Sequence, residues 1–173
     1  MLNKIYIRIA EPEDAAILTQ LAVATFVETF AADNTKVDMD KYVLTEMNQG
    51  KIATELADST NTFYLASFDG NPAGFAKVRA TETPAELAGN LPLEIERLYV
   101  LQQYQSHKIG AALMTKCISH AIENRFNMVW LGVWEHNQKA INFYKRWGFE
   151  FFGSHIFRLG NDEQIDMLMK KVL

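Results

Sequence analysis

Two stretches hold residues whose types and spacing bear on chemistry. In YQSHKIGAALM, Tyr104 to Met114, a polar turn runs into a helical pattern with one glycine, Gly110, and a lysine, Lys108, two residues before it. Helix starts leave backbone amides unpaired and carry the positive end of the helix dipole, so they suit phosphates. Small residues at Gly110, Ala111 and Ala112 let a ligand approach the backbone. Such a turn is either an ordinary helix entry or an anion seat that tolerates a lysine. Upstream, LEIERLYVL sets Glu94 and Glu96 two residues apart, so an extended strand puts both carboxylates on one face. There each can hold a water that takes a proton, pair with Arg79 or Arg97, or stand in solvent.

The composition narrows what these residues can serve. The chain has 173 residues, enough for one domain (1–173) with a sizeable core, and 22% of them are charged. No apolar run approaches the length of a membrane helix, and the start MLNKIYIRIAEPED lacks the long apolar core of a signal peptide, so no membrane partner is expected. The single cysteine, Cys117, suits a reducing, cytoplasmic setting. His107, His120, His136 and His155 show no metal-ligand spacing, and no metal is expected. Charge is lopsided: residues 1–96 carry seven Lys/Arg against fifteen Asp/Glu, whereas residues 97–158 carry eight against three. A cation would prefer the first half and a polyanion the second, unless both are solvated faces without a partner. There is no Lys/Arg run or basic-aromatic stripe, so nucleic acid is not an expected ligand.

The elements that must position the site follow from periodicity. KIYIRIA alternates like a first strand, and EPEDAAILTQLAVATFVETF has Pro12 and acids in its first turn and apolar residues at helical spacing. A second helical stretch runs through DMDKYVLTEM and continues toward KIATELAD. TFYLASF and AGFAKVRA flank Asp69-Gly70-Asn71-Pro72 as a hairpin. After a polar loop, LEIERLYVL alternates Glu94, Glu96, Leu98 and Val100 against Ile95, Arg97 and Tyr99. The helix opened by the quoted turn puts Ile109, Leu113, Cys117 and Ala121 on one face, which makes Cys117 a buried residue rather than a nucleophile. MVWLGVW is a strand, NQKAINFYKRWGFEF holds a helix that stops at Gly148, and FEFFGSHIFRL with QIDMLMKKVL closes the chain as a hairpin. The order predicts an α/β (α+β) domain with a mixed sheet and helices on its faces.

That succession resembles the GCN5-related N-acetyltransferase (GNAT) family, from the second helical region nearly to the C-terminus. The family's loop reads Gln/Arg-x-x-Gly-x-Gly/Ala; Gln105 and Gly110 match it and Lys108 departs. The second signature, Asn137…Ala140…Phe143-Tyr144…Gly148-Phe149, has no such departure. The resemblance implies a mostly antiparallel sheet with a splayed pair of middle strands, acetyl-CoA as co-substrate, and direct attack by a primary amine in a ternary complex. It implies a pyrophosphate on the amides from Ser106 through His107, Lys108, Ile109 and Gly110 to Ala111, with Lys108 expected at negative φ. Pantetheine is expected along Leu98, Tyr99 and Val100, with the Val100 amide facing the thioester oxygen. Gln105, Asn137 and Lys139 complete the expected cofactor contacts, and Asn137 doubles as a candidate helix cap. Tyr144 takes the position of the family's acid, which protonates the departing thiolate; its structural alternative is a core aromatic beside Phe143 and Trp147. Counting back from Gln105 brings Glu94 and Glu96 near where relatives keep a base.

The acceptor site in this family is built from the N-terminal helices, which here hold Asp33, Asp38, Asp40 and Glu46 among Phe26, Phe30 and Tyr42. Such a mouth suits a small cationic amine. TFVETF and IERLYVL also resemble bacterial members that acetylate polyamines such as spermidine. Trp134, Glu135 and His136 are expected to border the same site. Acetylation of a protein N-terminus or lysine, and acyl-CoA binding by a non-catalytic regulator, are the alternatives, and a homodimer is expected from the resemblance.

Overall fold

The structure is a computed structural model that describes residues 4–80, 83–159 and 162–173. Residues 81–82 of the polar loop and 160–161 of the last hairpin turn lie outside the described residues. Strand β1 (Ile5–Ile9) leads through a 3-10 turn at Pro12–Asp14 into α1 (Ala15–Phe30). Asp14 fixes that entry: its carboxylate accepts the Glu11 amide at 2.7 Å and grips the Arg8 guanidinium through bonds of 2.6 and 2.7 Å. That hydrogen-bonded pairing holds the Asp14 carboxyl below its ordinary range.

The second helical stretch is two helices rather than one. α2 (Lys36–Glu46) ends at Met47, and α3 (Gln49–Ala57) begins after Asn48, whose side chain accepts the Lys51 amide at 2.9 Å. An Asn oxygen that satisfies a free amide favours a new helix start over continuation. β2 (Asn61–Phe68) and β3 (Asn71–Arg79) form the expected hairpin. Asp69 and Gly70 both hold positive φ, 49° and 84°, which lets a two-residue turn follow the twist of the strands.

β4 (Pro92–Val100), a 3-10 turn at Gln102–His107, α4 (Ile109–Glu123), β5 (Met128–Trp134), α5 (Gln138–Arg146), β6 (Glu150–Leu159) and β7 (Asp162–Val172) complete the chain. The seven-stranded sheet runs β1-β2-β3-β4-β5-β7-β6, with β4–β5 its parallel pair and the others antiparallel. Alternation along the strands splits the core in two. Tyr64, Ala66, Ile95, Val129 and Leu131 pack with α4 and α5 on one face; Phe63, Leu65, Phe75 and Trp134 pack with α1, α2 and α3 on the other.

Two irregularities in β4 shape the site. Val78 pairs with Ile95 but Lys77 pairs with Arg97, so Glu96 is an extra residue bulged out of the ladder. The alternation expected for this strand therefore fails at one point. Arg97 and Tyr99 join Glu94 and Glu96 on the α1–α3 face, while Ile95, Leu98 and Val100 pack on the α4 side. Pairing with β5 stops at Glu94 opposite Trp130, just before the bulge, and the two strands then diverge.

Candidate active site

The gap between diverging β4 and β5 opens into a cleft of about 1220 Å³ that runs from the start of α4 to the N-terminal helices. Its end beside the start of α4 is built from main chain. Leu101 donates its amide to Ala73 O at 2.9 Å, so alternation turns the polar groups of Leu98 and Val100 away from β3 and into the gap. The Gln105 amide confirms that direction by donating to Val100 O at 3.2 Å, and Gln105 Oε1 in turn meets the Lys139 ammonium. Gly74 lies under this edge; a Cβ there would come within 2.4 Å of Tyr99 O, so only glycine permits the approach.

The turn at Lys108 differs from expectation. Lys108 has φ 61° and ψ 16°, in the left-handed region, and not the negative φ expected of it. The chain must pass from the 3-10 turn directly into α4, and one left-handed residue makes that change of direction, at a cost of about 1–2 kcal/mol for a residue with a Cβ. The family pattern's glycine falls at this same position, where it would adopt the geometry without strain. A left-handed residue after a right-handed turn also draws successive amides into a concave nest. No side chain caps α4, and its first amide bonded back across the start is that of Ala112, to Lys108 O at 3.1 Å. The amides of Ile109, Gly110 and Ala111 precede it and have no acceptor within the helix.

Around this nest, Gln105, Ser106, Lys108, Gly110 and Ala111 line the cleft, with Asn137 and Lys139 opposite. His107 and Ile109 do not: the His107 ring lies tilted against Phe68 with centroids 4.3 Å apart and Ile109 is fully buried, so each offers only main chain. Asn137 caps α5, its Oδ1 accepting the Ala140 amide at 3.1 Å. Tyr144 is packed against Phe143 and Phe149 yet also lines the cleft. Burial, then the neighbouring Tyr99 and Cys117, push its phenol well above the ordinary range, so it stays protonated and keeps a hydrogen to donate. Cys117 is fully buried in the α4 face and its thiol is pushed up to about 12, which leaves it without thiolate character.

Glu94 and Glu96 both line the cleft, each held in ion pairs. Arg79 Nε lies 2.5 Å from Glu94 Oε2, and its NH1 lies 3.0 Å from Glu96 Oε1. Lys77 Nζ is 2.5 Å from Glu96 Oε2 and 3.2 Å from Glu55 Oε2, and Arg97 grips Glu55 through both carboxylate oxygens. The lattice ties β3 and β4 to α3 with three carboxylates and three cations. Burial alone would raise the Glu96 carboxyl, but Arg97, Lys77 and Arg79 outweigh it and hold it below its ordinary range. A carboxylate so held is a weak proton acceptor.

The end beside the N-terminal helices carries an aromatic wall: Phe26 stacks on Tyr42 at 4.7 Å and Phe30 meets Trp134 at 5.2 Å. Asp33 and Glu46 line the cleft beside it, whereas Asp38 closes the α2 cap with Thr35 and Asp40 pairs with Lys36. Trp134 and His136 border the cleft; Glu135 is not part of its lining. Sequence pattern did not reveal Glu28, Glu55, Lys51, Gly132, His155 or Asp166, all of which line it. Only Gly132, a lone glycine inside a strand, carried a signal of close approach.

A sheet splayed beside an amide nest, with a protonated tyrosine in the gap, defines an acyl-transfer enzyme of the acetyltransferase class. The chain belongs to the acetyltransferase (GNAT) family, whose model matches residues 21–149. It is 38% identical, over 86% of both chains, to an uncharacterised N-acetyltransferase in the pepI 3′ region of Lactobacillus delbrueckii subsp. lactis. It is 28% identical to the spermine/spermidine N(1)-acetyltransferase of Bacillus subtilis (strain 168) over 50% of this chain and 57% of that one. The fold is also that of the PaiA N-acetyltransferase from Thermoplasma acidophilum, solved in complex with coenzyme A, with a TM-score of 0.79 and 21% identity over 98% of this chain and 99% of that one.

Proposed function

We propose that this acetyltransferase takes the acetyl group of acetyl-CoA and passes it to a primary amine of a small, cationic, partly aliphatic molecule such as a polyamine. The observation that carries the reading is the continuity of one cleft: the amide nest at Lys108–Ala111, the exposed edge of Leu98 and Val100, the Tyr144 hydroxyl, and the aromatic-acidic wall of the acceptor end all line it. The pyrophosphate sits on the nest, and the pantetheine amides pair with the Leu98 and Val100 main chain as an added strand would. The Val100 amide meets the oxyanion that forms when the amine attacks, and Tyr144 donates its proton to the leaving sulfur. Asp33 and Glu46 offset the charge of an ammonium that leaves water, and Phe26, Phe30, Tyr42 and Trp134 pack its methylenes. The partial likeness to a spermine/spermidine acetyltransferase supports the same acceptor class. Thiol release from acetyl-CoA tests it across spermidine, spermine, simple monoamines and peptides with free N-termini. Turnover with the polyamines above the peptides is expected; turnover confined to peptides would overturn the acceptor assignment.

A further inference from the structure

Two cleft carboxylates stand apart from the rest among the described residues: Asp33, which is exposed, and Asp166, which is partly buried. Glu94, Glu96 and Glu55 share the cations Lys77, Arg79 and Arg97; Glu46 is paired with Lys51; and Glu28 accepts the Gln102 amide at 2.9 Å. Asp166, on β7, is partly buried, and its nearest cationic group is the His155 ring on β6, with Nε2 3.6 Å from Asp166 Oδ2. The two residues are direct partners in the β6–β7 ladder, and Asp166 also pairs across β5 with Trp134.

The floor beside them is open. Along β5, Trp130, Gly132 and Trp134 share the face opposite the α4 core, and Gly132 is exposed between two buried tryptophans in the middle of the sheet. A Cβ on Gly132 would stand 3.4 Å from Asp166 Oδ2 and 3.5 Å from His155 Cε1. The missing side chain therefore leaves a slot whose wall is the Asp166 carboxylate. Glycine inside a strand marks a place where a ligand can approach the backbone.

This slot opens into the same cleft that Tyr144 and Val100 line. The titratable groups facing Asp166 are His155 from β6 and Tyr99 from β4, while β5 contributes Gly132 and Trp134, which do not titrate. Tyr99 in turn is among the groups that raise the Tyr144 phenol.

We infer that Asp166 accepts the proton of the acceptor's ammonium in the slot over Gly132, with His155 passing that proton to solvent. The inference rests on the acetyl-transfer reading above. The ammonium gives one proton to Asp166, and the freed nitrogen lone pair attacks the thioester carbon, forming the C–N bond while the carbonyl pair moves to oxygen. Collapse restores the carbonyl and breaks the C–S bond. The sulfur takes the Tyr144 proton, and Tyr144 regains one from the acylated nitrogen. One proton leaves through Asp166 and His155, which balances an ammonium and a thioester against an amide, a thiol and a proton. Partial burial raises the Asp166 carboxyl above its ordinary range, more than His155 lowers it, which moves it toward the working range of a base.

The test uses Asp166→Asn and His155→Gln, assayed by thiol release with acetyl-CoA and whichever amine the wild type turns over fastest. Asp166→Asn should lower kcat/KM by roughly 100-fold or more. It should also abolish the acidic limb of the pH–rate profile and leave coenzyme A affinity by calorimetry unchanged. His155→Gln should keep the limb, shift it and lower kcat several-fold. Circular dichroism checks that both variants fold. A folded Asp166→Asn enzyme that keeps wild-type kcat/KM and the wild-type acidic limb overturns this assignment and leaves acetyl transfer standing. A wild type that binds coenzyme A but releases no thiol with any amine overturns the acetyl-transfer reading, and this one with it.

Discussion

Lys77 Nζ sits 2.5 Å from Glu96 Oε2, in a pair whose lysine is only 2% exposed. An ammonium buried that deeply is tolerable because Glu55 stands 3.2 Å away on its other side. The pair joins the bulge in β4 to α3, so it governs the shape of the cleft as well as its charge.

Glu96→Gln should therefore act on stability before chemistry. Removing one anion leaves Lys77 and Arg79 short of a partner, for a loss of about 3 kcal/mol and a fall in Tm of roughly 6–12 °C. The carboxyl is depressed in the folded state, so its contribution is complete above its unfolded value of about 4.5 and fades as pH falls through the lower folded value. Melting curves at pH 7 and pH 3.5 should show the gap between wild type and variant narrowing in acid. A variant that melts with wild type at pH 7 would remove the structural role.

Asp166→Asn should have the opposite effect on stability. This carboxyl is raised in the folded state, so the charged form is disfavoured there and stability is lost as pH rises through the folded value. At pH 7 the asparagine variant should melt above wild type, with the difference shrinking toward pH 4. Equal melting temperatures at both pH values would show that folding does not strain this group.

Lys108→Gly should leave coenzyme A affinity within about threefold of wild type, because the nest presents main chain. It should also stabilise the fold by up to about 1 kcal/mol, since glycine adopts φ 61° without the Cβ clash. Lys108→Val should destabilise by a comparable or larger amount. Calorimetry with coenzyme A and thermal melts check both; a large affinity loss in the glycine variant would mean that the ammonium carries the binding.

Tyr144→Phe keeps the contacts with Phe143 and Phe149 and removes the hydroxyl. We expect kcat to fall by about 100-fold, with the KM for acetyl-CoA unchanged. Because burial holds the phenol protonated, the wild-type rate should show no alkaline decline from this group below about pH 10, its unperturbed value. A variant with the wild-type turnover number rules out the acid role.

Gly74→Ala should damage the cofactor edge from beneath. Its Cβ would sit 2.4 Å from Tyr99 O, and the overpacking should cost about 1–3 kcal/mol. The readout is the KM for acetyl-CoA, which should rise as Val100 shifts, with the acceptor KM less affected. An unchanged KM would mean that β4 absorbs the methyl without moving.

Much of this architecture was legible in residue pattern. The turn before Gly110, the Phe143-Tyr144 pair and the strand ending at Val100 carry local signals, and their order marks the family before any tertiary contact is known. Asp69-Gly70 announced its hairpin for the same reason. What escaped was non-local or sterically unusual. The bulge at Glu96 exists only relative to the register of β3, so a single strand cannot announce it. The meeting of Gly132, His155 and Asp166 depends on β7 lying between β5 and β6, an order that the sequence of any one strand does not announce. Lys108 hid its left-handed backbone because a lysine seldom adopts one, and the glycine of the family pattern at this position was the one hint of it. The break at Asn48 was readable as a cap, but the apolar rhythm on either side concealed it.

The supernumerary residue in β4 has a reach beyond its own position. Deleting Glu96 would restore strict in-and-out order along the strand without changing the facing of the downstream segment: Arg97 and Tyr99 would stay toward the N-terminal helices, and Leu98 and Val100 toward the α4 core. What would go is the local kink that the extra residue puts into β4 where it leaves β5. The wedge between the middle strands would lose what props it apart. A one-residue insertion in an otherwise regular ladder is thus the difference between a closed sheet and one that can admit a cofactor.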